Sequence, residues 1–140
     1  MIPARPVLLD TCAAIWLMNG DPISTQSRAA IAAAQRQNSG VFVSPISAWE
    51  IAALAARNRL QLTLDPAAWF EALLRLPGIR LAPMPPGVLI ASAFLPGLPP
   101  YDPADRIIAA TAREQGQAVV TRDVELTTYA ATGHLDVIGC

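Results

Sequence analysis

Eleven carboxylates, ten arginines, two cysteines and one histidine are the main ionisable groups with which this 140-residue chain could do chemistry; it has no lysine. With a single histidine there is little basis for a Ser-His-Asp or Cys-His nucleophile. His134 stands just before the last apolar run and reads as a structural or surface residue, which also disfavours zinc. Cys12 and Cys140 lack CxxC or metal-ligand spacing and read as free, largely buried thiols. The carboxylates remain. Asp10, Glu50, Asp105 and Asp123 are each attached to an apolar segment of the kind that packs into a core. Two unit charges ~4 Å apart repel by about 4 kcal/mol at an effective dielectric near 20, so carboxylates gathered there must hold protons or a cation. All-oxygen ligation with few protein donors suits Mg²⁺ or Mn²⁺, and the chemistry that follows is hydrolysis of a phosphodiester by a metal-activated water.

Each acid also has a plainer reading. Asp105 falls at the third position of a helix, where it favours the dipole, and Asp102 caps the same helix. Asp10 and Asp123 could be turn residues after strands. Glu50 resists such an account best: it lies in SAWEIAALAA, otherwise almost wholly apolar, where an uncompensated carboxylate is costly.

The elements that must position these residues alternate. Residues 6–9 form a short apolar run that stops at Asp10, as a strand buried on both faces does. A short helix over 11–18, a turn and an Ala-rich helix over 23–37 follow, the last stopped by Asn38-Ser39-Gly40. VFVS (41–44) reads as a second strand. Ser44 can cap and Pro45 fits the first turn of a helix running over 46–60 that carries Glu50. Asp65-Pro66 opens another helix closed at Pro77-Gly78, and 79–83 is a third strand. A short helix over 87–94 and a proline-rich loop lead to Asp102, Pro103 and Asp105 at N-cap, N1 and N3 of a helix closed by Gly116. Residues 117–123 form a strand, 127–133 a short helical or irregular piece, and 134–140 the final strand. This alternation predicts a single α/β domain with a mostly parallel sheet, whose ligands bind outside the carboxyl ends of its strands.

Composition bounds the function class. The chain is 53% hydrophobic and 15% charged, which excludes disorder and leaves apolar surface to pack inside or against a partner. A net charge of −1 argues against holding a duplex by phosphate neutralisation alone. No signal-peptide layout and no ~20-residue apolar run are present, so a cytoplasmic location is expected. Trp16, Leu17 and Met18, and the set Trp49, Leu54, Trp69 and Phe70, are candidate interaction patches, although core packing accounts for them more simply. Arg106 and Arg122 adjoin proposed ligands and could meet phosphate or simply be solvated or ion-paired.

In four segments the chain resembles the PIN-domain family, and in particular its VapC-type ribonuclease toxins: LLDTCAAIW with the first acid and its following hydroxyl, SPISAWEIA, DPADRIIAATA and VVTRD. The likeness runs the length of the chain, residues 1–140. It implies a parallel β-sheet flanked by α-helices, Mg²⁺- or Mn²⁺-dependent cleavage of RNA, homodimerisation, and inhibition by a VapB-type antitoxin. It implies Asp10, Glu50, Asp105 and Asp123 as metal-coordinating and catalytic acids and Thr11 as the accompanying hydroxyl; Asp102, left as a cap or supporting acid, and Arg122, by its place beside Asp123, are candidate auxiliary residues. Two other readings stay open: a catalytically silent PIN-fold interaction or dimerisation module, and a phosphoacceptor domain, against which the lack of lysine speaks.

Overall fold

The protein, seen here as a computed structural model that describes residues 4–140, is built on five short strands. They are β1 (Val7–Leu9), β2 (Val41–Val43), β3 (Ile79–Leu81), β4 (Ala118–Thr121) and β5 (Val137–Gly139). Seven helices connect them: α1 (Thr11–Asn19), α2 (Thr25–Arg36), α3 (Pro45–Ala56), α4 (Pro66–Leu74), α5 (Pro86–Ala93), α6 (Pro103–Gln115) and α7 (Val124–Ala131). The sheet order is β3-β2-β1-β4-β5 and every pairing is parallel. The expectation of an α/β domain on a mostly parallel sheet is met.

Strand periodicity sorts the core into two layers, because successive side chains point to opposite faces. Val7, Leu9, Val41, Val43 and Val120 join α1, α2, α3 and α4 through Ile15, Ile31, Ile51, Trp69 and Leu73. Leu8 and Val119 meet Ile108, Ala112, Leu126 and Tyr129 of α6 and α7 on the other face. Both faces of β1 are covered, which is why its sequence shows no alternation of polarity. Leu8 is fully buried at the centre, so Leu8→Ala should cost about 2–5 kcal/mol, read as a lowered midpoint in urea with unchanged slope.

Several boundaries differ from the sequence expectation. α3 stops at Ala56 instead of running to residue 60: Arg57 is its C-cap and Asn58 takes φ 56°, a left-handed conformation that ends a helix. α7 starts at Val124, earlier than expected, because Asp123 is its N-cap rather than a turn residue. β3 ends at Leu81; as an edge strand it leaves Arg80 and Leu81 exposed. Cys12, expected to be buried, is exposed, since the packed face of α1 runs through Thr11, Ala14 and Ile15. Cys140 is half-buried, and both thiols are free. Among the described residues no helix is long and apolar enough to cross a membrane.

Candidate metal centre

β1 lies at the middle of the sheet, with the chain winding outward first through β2 and β3 and then, after returning, through β4 and β5. The crevice between β1 and β4 is therefore the switch point, the place where open parallel sheets bind ligands. Asp10 follows β1 directly and Asp123 comes two residues after β4. The backbone N–H of Asp10 donates to the carbonyl of Val120 (3.2 Å) and so continues the β1–β4 ladder one residue past β1.

Helix starts hold the acids in place. Asp10 is the N-cap of α1, its Oδ1 accepting from the N–H of Ala13 at 2.7 Å. Asp102 caps α6 by accepting from the N–H of Asp105 at 3.1 Å, and Asp123 caps α7 by accepting from that of Leu126 at 2.9 Å. Three helices thus present their positive ends to one region, which favours negative charge there by roughly 0.3–1 kcal/mol each.

Two hydroxyls link the acids. The Thr121 hydroxyl donates to Oδ2 of buried Asp10 and accepts from the N–H of Asp123 at 2.9 Å. Thr11 does the same work for Glu50, donating its hydroxyl proton to Oε1. Its oxygen lies 2.9 Å from that of Ser47; with one proton per hydroxyl already committed, Ser47 must donate to Thr11. Thr121 and Ser47 were not anticipated from sequence. The signal for Thr121 is its place in VVTRD, at the end of the strand beside the one that carries Asp10.

Asp105, Asp123 and Glu125 bring carboxylate oxygens within 4.8 Å of one another, close enough for one cation. Glu125 was missed by sequence reasoning; the pattern Asp-x-Glu at a helix start was its only mark. Asp10 and Glu50 stand outside that trio, each held through its hydroxyl partner, yet they share its field. Burial, then the charges of Asp123, Asp102, Glu50 and Asp10, pushes the Asp105 carboxyl up to about 7. Burial raises Asp10 as well, against the hydrogen bonds from Thr121 and Ala13, with Asp123 adding to the rise. Glu50 is raised by burial, then by Asp102 and Asp10, while Thr11 opposes the shift. Even the Cys12 thiol, on a residue that is exposed as a whole, is pushed up to about 11, by partial desolvation of its sulfur first and then by Asp10, Glu50, Asp105 and Asp123. A set of mutually repelling acids with this donor chemistry fits a hard divalent cation, which would remove the repulsion.

Neither arginine beside the acids is ion-paired among the described residues. Arg122 donates to the carbonyls of Cys140 (2.7 Å) and Pro22 (2.8 Å) and lies 4.0 Å over the Trp16 ring, so it ties the end of β5 to α1 and is committed to structure. Arg106 reaches the Ser92 carbonyl at 3.4 Å. His134 stacks on Tyr129 at 5.3 Å, away from the acids, as a structural residue. Trp69 is core, Leu54 and Phe70 are half-buried, and Trp16, Leu17 and Met18 pack partly against the core. Trp49 departs from the core reading and is 62% exposed.

The sequence model of the PIN domain matches residues 7–131, from β1 to the end of α7. The chain belongs to the PIN domain family. One PIN-domain relative, Ribonuclease VapC22 of Mycobacterium tuberculosis, is 35% identical over 125 residues, covering 88% of this chain and 91% of that protein. The PIN fold is shared with VapBC2 of Rickettsia felis bound to a promoter DNA fragment, at a TM-score of 0.68 and 14% identity over 96% of this chain and 98% of that one. A toxin–antitoxin complex from Klebsiella pneumoniae matches at a TM-score of 0.60 and 20% identity, over 94% of this chain and 95% of that one.

Proposed function

We propose that this PIN domain is a divalent-metal-dependent endoribonuclease acting as the toxin of a toxin–antitoxin pair. The observation that carries the reading is the gathering of Asp105, Asp123 and Glu125 at the β1/β4 switch point, with Asp10 and Glu50 held alongside. The 35% identical relative is a ribonuclease, and the shared fold includes a toxin–antitoxin complex.

In this reading Asp105, Asp123 and Glu125 would hold Mg²⁺ or Mn²⁺, with Asp10 completing the acidic set beside them. When bound, such a cation lowers the pKa of water and neutralises charge on a phosphodiester oxygen. Glu50, fixed by the Thr11–Ser47 pair, accepts the proton of the attacking water. Asp102 caps α6 and deepens the negative field. Thr121 positions Asp10 and the start of α7 together.

A VapB-type antitoxin and a second copy of the chain complete the proposal. Ile90, Phe94, Leu98, Tyr101 and Val124 are all more than 60% exposed, and apolar surface of that extent supports a protein partner. A silent dimerisation module would use the same surface, but it has no need of acids held in mutual repulsion.

The test is metal removal. The purified full chain should cleave end-labelled RNA in Mn²⁺ or Mg²⁺, stop in EDTA and resume when metal is restored. Growth arrest on expression, relieved by the product of a short reading frame encoded beside it, checks the toxin role. No metal-dependent cleavage by a folded chain would overturn the nuclease assignment and leave the module.

A further inference from the structure

Trp49 is the departure from the core pattern that the metal chemistry does not use. It precedes Glu50 on α3 and exposes 62% of its surface. A tryptophan is a costly residue to leave in water, since burying a large apolar side chain is favourable by about 1.5–3 kcal/mol. Trp49 lines a cleft of about 310 Å³ together with Glu50, Ala53, Leu54, Arg57 and Asp102. Two of the acids beside the metal centre, Glu50 and Asp102, therefore form part of its wall.

Residues 49, 53 and 57 recur every four positions and share one face of the helix, rising about 12 Å from the first to the last. Ala53 in the middle leaves the floor open. Among the described residues Arg57 makes no salt bridge and no side-chain hydrogen bond. The cleft thus offers, in order from the acids, an exposed aromatic ring, a small-residue floor and an uncommitted guanidinium. Single-stranded nucleic acid is bound by that combination of stacking surfaces and cations.

We propose that this face of α3 is the substrate track, on which an unstacked base of single-stranded RNA lies on Trp49 while Arg57 neutralises a phosphate further along. The inference rests on the nuclease reading and extends it: Trp49 is a substrate-positioning residue, and base-paired RNA, whose bases are already stacked, cannot use it. Arg57 also supplies positive charge within the cleft, which the overall field of a chain of net charge −1 does not provide.

Steady-state cleavage of an end-labelled pool of unstructured RNA oligonucleotides in Mn²⁺ tests this, with wild type, Trp49→Ala, Trp49→Phe and Arg57→Ala compared at several salt concentrations. Trp49→Ala should raise KM about tenfold with kcat changed less than about twofold and an unaltered melting temperature. Trp49→Phe should recover most of the affinity. Arg57→Ala should raise KM and flatten its salt dependence. If wild type does not cleave at all, the nuclease reading fails and takes this proposal with it. If wild type cleaves and Trp49→Ala keeps its KM, the track alone is overturned; loss of antitoxin neutralisation in that variant would then assign Trp49 to a protein interface.

Discussion

Asp105→Asn should abolish metal-dependent RNA cleavage, lowering kcat by on the order of 10²- to 10³-fold, the scale of removing one group that stabilises developing charge, without unfolding the protein. Asp105 caps nothing, so the α6 start keeps its Asp102 cap. The substitution forfeits a favourable dipole interaction of roughly 0.3–1 kcal/mol, but the carboxyl is raised to about 7, so its surroundings disfavour the charge on balance. In EDTA at pH 8 the variant should therefore melt no lower than wild type, and Mn²⁺ should add little to its melting temperature. Asp10→Asn should lose activity to a similar degree, and there asparagine is the necessary choice because it caps a helix about as well as aspartate. Cleavage rates, EDTA melts and metal-induced shifts together decide the matter. Full activity in either variant would sink the assignment of that residue to the centre.

Without metal, stability should fall as pH rises from about 4 to about 7. Asp105 goes from an ordinary value of 3.8 to about 7 in the folded chain, and Asp10 and Glu50 shift in the same direction. Between those limits the folded state binds more protons than the unfolded state, so the free energy of unfolding has a negative slope against pH. The stabilisation is complete below the unfolded value and gone above the folded one. A divalent cation needs these groups deprotonated and competes with their protons. The rise in melting temperature on adding Mn²⁺ should accordingly be larger at pH 8 than at pH 5.5, and metal binding near pH 6 should release protons to the buffer. Melts in EDTA and in Mn²⁺ across this range measure both effects; a pH-independent difference between them would mean that Asp105 is not part of the binding site.

The fold was readable because its strands are buried on both faces and its helices carry explicit start signals. PVLL could hardly be anything but a central strand, and Ser44-Pro45, Asp65-Pro66 and Asp102-Pro103 mark helix starts that the structure reproduces. The end of α3 was harder, since Asn58 looks like an ordinary polar residue until its left-handed backbone is seen. At the centre, acids attached to apolar segments stood out by their cost. Glu125 did not, because it lies on an exposed helix start where acids are common, and only its distance to Asp105 and Asp123 distinguishes it. Thr121 was hidden for a related reason: threonine is favoured in strands, so a threonine ending one attracts no notice. Trp49 was legible only as one of several patch candidates for which core packing was the simpler account, because helix periodicity tells which residues share a face but not whether that face is covered.

The central place of β1 has a consequence for when activity first arises during synthesis. The link between Thr121 and Asp10 spans 111 residues of chain, and β4 is needed before the crevice has a second wall. A nascent chain that has emerged only as far as α6 already carries Asp10, Glu50 and Asp105, but lacks the hydroxyl that orients the first and the helix start that supplies Asp123 and Glu125. Contacts so distant in sequence form late, and in a domain made from its N-terminus outward this one waits for the final fifth of the chain. For a nuclease, the full set of acids is therefore assembled only when nearly the whole domain has been translated.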